Sequence, residues 1–108
     1  MVDNRPESVL KASELVHKMQ TGNVAAIAEG FTSPGALLRI NAIINAVKFK
    51  VTPDEFISRI RDLTRDDNYV SGYQVSDFAY AALDILGIQR FKGDRPEIKQ
   101  MIDCRLSF

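Results

Sequence analysis

The stretch Val75-Ser-Asp-Phe-Ala79-Tyr-Ala-Ala82-Leu83-Asp-Ile-Leu86-Gly87 decides how the chain folds. Its apolar residues Val75, Phe78, Ala79, Ala82, Leu83 and Leu86 recur at three- and four-residue spacing, the period of one face of an α-helix. Gly87 then supplies the left-handed residue on which helices commonly end. A helix over about residues 74–86 follows. Its other face carries Asp77, Tyr80, Ala81 and Asp84 at i, i+3, i+4 and i+7.

Outward from this segment, four prolines punctuate the chain. Pro6, Pro34, Pro53 and Pro96 each precede an apolar-periodic stretch, and the first helical position tolerates proline because its N–H would be unsatisfied anyway. Reading all four as helix starts predicts helices over about 6–20, 34–49, 53–65 and 96–105. Thr52-Pro53-Asp54-Glu55 reads as a capping box, and Ser33 reads as the cap before Pro34. Gly22 ends the first helix, and Asn23 caps a shorter one through Phe31. Residues 66–73 form a polar loop, in which Ser71 and Gln74 have capping-box spacing. Val47-Lys-Phe-Lys-Val51 alternates over five residues but continues a helical pattern, so it is read as a helix end. Six helices and no sheet are expected.

At 108 residues the chain is read as one domain, 1–108, large enough for a hydrophobic core. No apolar run reaches the roughly 20 residues that cross a bilayer, and the polar start MVDNRPESVLKASEL has no signal-peptide core. Cys104 is the only cysteine, so no internal disulfide can form. A cytoplasmic protein is expected. The 14 basic and 14 acidic residues cancel, which disfavours a primary role in gripping phosphates, since that rests on a basic excess.

A weak internal repeat joins the helices in pairs. Val24, Ala28, Phe31 and Thr32 align with Phe56, Ile60, Leu63 and Thr64 at an offset of 32, and Leu38 and Ala42 with Val75 and Ala79 at 37. Each unit is a short helix, a turn and an apolar helix, which must stack on a neighbour to bury its face. The Val75–Gly87 segment resembles the second helix of a HEAT-like repeat, with its β-branched residue, paired small residues, leucine and closing glycine. Ser76 stands where that pattern carries a base, and Asn45 and Ala46 replace the small–leucine pair in the earlier unit. The resemblance spans residues 23–88 and implies an all-α fold of about six helices stacked as antiparallel hairpins, a short right-handed α-solenoid. A plain helical bundle is the alternative.

Little in the chain points to catalysis. It has no phosphate-cradling glycine loop, paired cysteine or histidine motif, or nucleophile elbow. His17 lies beside the first apolar stripe and reads as a surface or boundary residue. Cys104 reads as a small core residue, and neither suggests a metal. Asp54-Glu55 suits a helix N-terminus, and Asp66-Asp67 lies in a loop beside Arg65. No enzyme, cofactor or metal is expected.

Binding is the remaining reading. Tyr80 between Asp77 and Asp84 makes a candidate contact patch, because tyrosine is enriched at interface hot spots. Asn41 and Asn45, with Lys48, occupy the corresponding face of the third helix and are expected to extend that patch into a ridge. Asp66, Asp67, Tyr69 and Tyr73 in the loop complete the candidate partner-binding set. Arg90, Lys92, Arg95 and Lys99 around Phe91 support the alternative, a nucleic-acid-binding repeat; a generic scaffold or adaptor is a further one. In size and style the chain resembles the helical immunity proteins of bacteria, each of which neutralises a toxin. That resemblance implies a protein partner, a toxin domain such as a nuclease, held by the acidic–aromatic face.

Overall fold

The computed structural model describes residues 7–70, 72–90, 98 and 102, with side chains from residue 12 onward. Among them run five helices, α1 (Glu7–Gln20), α2 (Val24–Phe31), α3 (Ala36–Lys48), α4 (Asp54–Leu63) and α5 (Val75–Ile85). The protein is mostly helical, but not purely so. Tyr69, Val70 and Tyr73, expected to be loop, and Gln74, expected to open the fifth helix, form a small antiparallel ribbon, β1 (Tyr69–Val70) and β2 (Tyr73–Gln74), in register Tyr69↔Gln74 and Val70↔Tyr73. Gly72, at φ 85°, supplies the backbone turn between its strands. The expected sixth helix, 96–105, lies outside the described residues except for Ile98 and Ile102, which are helical and buried.

Three helices stop by one device. Beyond α1, the Gly22 N–H donates to Met19 O and the Asn23 N–H to Lys18 O. Beyond α5, the Gly87 N–H donates to Asp84 O and that of Ile88 to Leu83 O. These crossed bonds make the Schellman motif, whose left-handed residue is glycine both times. Beyond α3 the same pair runs from Lys50 to Val47 O and from Val51 to Ala46 O, but the left-handed residue is Lys50, at φ 55°. Asn23 also starts α2, its Oδ1 accepting the Ala26 N–H at 3.0 Å.

The described prolines mark helix starts one or two residues early. Pro53 takes the extended conformation (ψ 160°) and is itself the N-cap of α4, so the expected box at Thr52 does not form. Ser33 turns its Oγ to the Gly35 N–H, and Gly35 becomes the N-cap of α3. At the start of α5 a capping box pairs Gln74 with Asp77, while Ser71, expected to cap with Gln74, lies outside the described residues.

Helix α3 is central. It packs against α1, α2, α5 and β1, and every residue from Ile40 to Ala46 is buried, as expected of a helix surrounded by protein. Gly30 lets α2 approach it: a Cβ there would lie 2.9 Å from the Ala42 Cβ and 2.7 Å from Met19 Sδ. Helix α4 lies against α5, and the Phe31 and Phe56 rings meet edge to face at 5.1 Å. Phe78, Ile43, Ile44 and Leu83 fill the centre.

Candidate functional site

The ribbon is held at its base by one ion pair and a set of turns. Arg39, one turn into α3, donates through Nε to Asp66 Oδ2 at 2.7 Å and through Nη1 to the Ser33 carbonyl at 2.8 Å. Its guanidinium therefore ties the α2–α3 turn to the segment leaving α4. The other carboxylate oxygen of Asp66 accepts both the Asn68 N–H (3.1 Å) and the Asn68 amide (2.7 Å). Backbone bonds from Ser76 to Asp66 O and from Val75 to Asn68 O close the loop onto the start of α5. Burial pushes the Asp66 carboxyl up, but the bonds from Asn68 and Arg39 outweigh it and hold it below its ordinary value. Asp66, expected to face a partner, is an internal anchor.

That anchoring sorts the loop's aromatic residues. Tyr73 is half-buried, its ring set edge-on to Phe78 at 6.0 Å, on the inner side of α5. Tyr69, on the outer strand, stays 67% exposed, and Asp67 beside the anchor is exposed as well. Of the four loop residues expected to bind, two are given over to the fold and two are presented.

The outer side of α5 is narrower than its sequence suggests. Tyr80 is exposed, but Ala81, expected to open that surface, is fully buried. Asp77 is half-buried, and its Oδ2 accepts the Gln74 N–H at 3.2 Å, closing the capping box. Asp84 is half-buried at the edge of a shallow depression shared with Ile88 and Arg90. The face is thus an exposed tyrosine with flanking carboxylates, one of them engaged at the helix start.

The expected ridge on α3 does not exist. Asn41 and Asn45 are 0% and 2% exposed. Each amide donates to the carbonyl four residues earlier, Asn41 to Leu37 O at 2.9 Å and Asn45 to Asn41 O at 2.8 Å. A buried amide must be hydrogen-bonded, and on a helix enclosed all round its own preceding turn provides the acceptor. Lys48, also expected on the ridge, reaches over the Phe49 ring, with Nζ 5.2 Å from its centroid.

Arg39 and Asn68 carry the site's geometry and were not legible as site residues. A signal for the first existed: Arg39 is a lone charge within Ala36-Leu-Leu-Arg-Ile-Asn-Ala-Ile-Ile, and a charge in an apolar helix usually has a partner. Of the basic cluster, Arg90 is exposed, while Lys92, Arg95 and Lys99 lie outside the described residues, as does Cys104. His17 is exposed at the end of α1. Among the described residues no three His, Cys, Asp or Glu side chains gather as a metal site, and no helix is long and apolar enough to cross a membrane. No known family, curated protein or solved structure gives a match to the chain.

Proposed function

We propose that the protein is a binding module for a basic protein surface, with Tyr69 and Asp67 at the centre of the contact and Tyr80 and Asp84 as further contacts. The supporting observation is the display of Tyr69. A large aromatic left two-thirds exposed forgoes transfer free energy of about 1–2 kcal/mol, and here it stands on a ribbon whose base is pinned by Arg39 and Asp66. An exposed aromatic on an anchored backbone loses little backbone entropy on binding, which suits a hot-spot residue. The neighbouring carboxylates would steer a cationic partner and speed encounter.

Within that reading, the paired helices suit a HEAT-like stack, and the role that fits best is neutralising a toxin domain, in the manner of helical immunity proteins. The test is direct. The product of the gene adjoining its own is purified, and its affinity is measured by calorimetry against the wild-type chain and Tyr69→Ala. A nanomolar complex weakened at least about thirtyfold in the variant, roughly 2 kcal/mol, supports the proposal. A complex equally tight with Tyr69→Ala and Asp67→Lys removes the site assignment. Salt-sensitive retention on heparin, with no protein complex, replaces the reading by nucleic-acid binding.

A further inference from the structure

Between α1 and the α2–α3 turn the surface dips into a groove of about 430 Å³, within the roughly 300–1,000 Å³ range of ligand pockets. Ala12, Leu15, Pro34 and Leu38 give it apolar walls. Its polar rim is Glu29, Thr32 and Ser33, all at or just beyond the end of α2. This rim is electronegative for two independent reasons. Helix α2 ends here with no basic residue in its last turn, so its dipole leaves partial negative charge on the terminal carbonyls. Glu29 adds a full charge, is exposed, and has no ion-pair partner among the described residues.

Among the described residues, the cation beside this rim is Arg39, and it is already neutralised. Arg39 donates to the Ser33 carbonyl, but its charge is spent on Asp66 and its side chain is only 12% exposed. The same guanidinium links Ser33, on the groove's rim, to the carboxylate that anchors the Tyr69 ribbon. Leu37, on the first turn of α3 beside Leu38, is exposed.

We propose that this groove docks a cationic, apolar segment of the same partner. A large aliphatic or aromatic side chain would lie against Leu15 and Leu38, and an adjacent lysine or arginine would meet Glu29 and the end of α2. The inference rests on the reading of the protein as a binder of basic protein surfaces and adds the chemistry of a second contact.

The probe is an acetylated, amidated tetrapeptide of alternating leucine and lysine, titrated into the 15N-labelled protein, with the leucine–glutamate peptide as its control. The expected result is a saturable shift of the Ala12, Glu29, Ser33 and Leu38 amides by the lysine peptide alone. Glu29→Lys weakens it about fivefold, one exposed attraction being replaced by a repulsion, and Thr32→Trp, which fills the groove from an exposed position, abolishes it. Tyr69→Ala leaves this titration unchanged. Equal binding of both peptides, shifts centred elsewhere, or concentration-dependent self-shifts at these amides overturn the groove's assignment. Loss of the whole partner on Tyr69→Ala alone, with Glu29→Lys silent, leaves the binding function standing and removes only the groove. The lysine peptide bound as expected, with whole-partner affinity unmoved by Tyr69→Ala, does the reverse.

Discussion

The two helix pairs, α2–α3 and α4–α5, align in sequence and differ in how they pack. Val24 and Phe56 correspond at an offset of 32, yet Val24 is half exposed while Phe56 is buried against Phe31. Gly30 and Asp62 correspond likewise, yet Gly30 is buried at the crossing with α3 and Asp62 faces solvent. Phe31 and Leu63 are buried alike, and at the offset of 37 so are Ala42 with Ala79, Ile44 with Ala81 and Ala46 with Leu83, so the difference lies in α2 against α4. The cause is position. Helix α2 is pressed against both α1 and α3, whereas α4 packs chiefly on α5. Repeated spacing therefore fixes which residues form helices, and the neighbours on each side fix which face is buried. The connections differ as well. A tight turn at 32–35 joins the first pair; residues 64–74, including the ribbon that presents Tyr69, join the second.

The largest effect should come from the crossing that the second pair lacks. A Cβ at Gly30 already meets the Ala42 Cβ at 2.9 Å and Leu38 O at 3.2 Å, so Gly30→Val must part α2 from α3. Overpacking of this kind should cost about 3 kcal/mol, read as the shift in urea midpoint with the slope unchanged. The counterpart Asp62→Val, on an exposed face, should move stability by less than about 0.5 kcal/mol. Similar losses at both sites would restore the equivalence of the pairs.

Next comes the link between the two connections. Arg39→Ala leaves the Asp66 carboxylate, only 11% exposed, without its cation, at a cost of about 2 kcal/mol, between that of a surface pair and a fully buried one. Since Asp66 is held below its ordinary value of 3.8 in the folded chain, its contribution is complete above that pH. It is lost as pH falls through the lowered folded value. Wild type should therefore lose stability on acidification below about pH 4 more steeply than Asp66→Asn, measured by denaturation at pH 3, 4, 5 and 7. Parallel curves would mean that the two connections are not joined electrostatically.

These effects mark what was legible. The apolar period gave α1 to α5, and Gly22, Asn23 and Gly87 gave the end of α1, the start of α2 and the end of α5, because caps are local chemistry. The burial of Asn41 and Asn45 was not legible, because an asparagine reads as surface until the fold is seen to enclose its helix on every side. Nor was the division of the loop tyrosines, which depends on a contact from Tyr73 to Phe78 and on an arginine more than two dozen residues away.

A smaller effect separates the ends of the two apolar helices. Helix α5 closes on Gly87 and α3 on Lys50, both left-handed. A lysine there carries a steric cost that glycine lacks, partly offset by its charge at the helix C-terminus. Lys50→Gly should stabilise the chain by about 0.5 kcal/mol, seen as a rise in melting temperature. A loss would show that the charge outweighs the strain.

The smallest expected effect is the most exacting for the capping chemistry. Read as a box, Thr52-Pro53-Asp54-Glu55 makes Thr52 a cap, and Thr52→Ala should then cost about 1 kcal/mol. In the structure Pro53 is the N-cap, no side chain caps α4, and the Pro53 carbonyl already accepts the Phe56 and Ile57 N–H groups at 2.9 and 3.1 Å. Thr52→Ala then removes no hydrogen bond and should change stability by less than about 0.3 kcal/mol. At the start of α5 the box is real, with the Asp77 carboxylate on the Gln74 N–H, so Asp77→Ala should cost about 1 kcal/mol in the same assay. Equal losses at the two sites would return the Thr52 box to α4. A silent Thr52 beside a costly Asp77 would place side-chain capping on the helix that continues from the ribbon, and leave α4 to be held by its packing on α5.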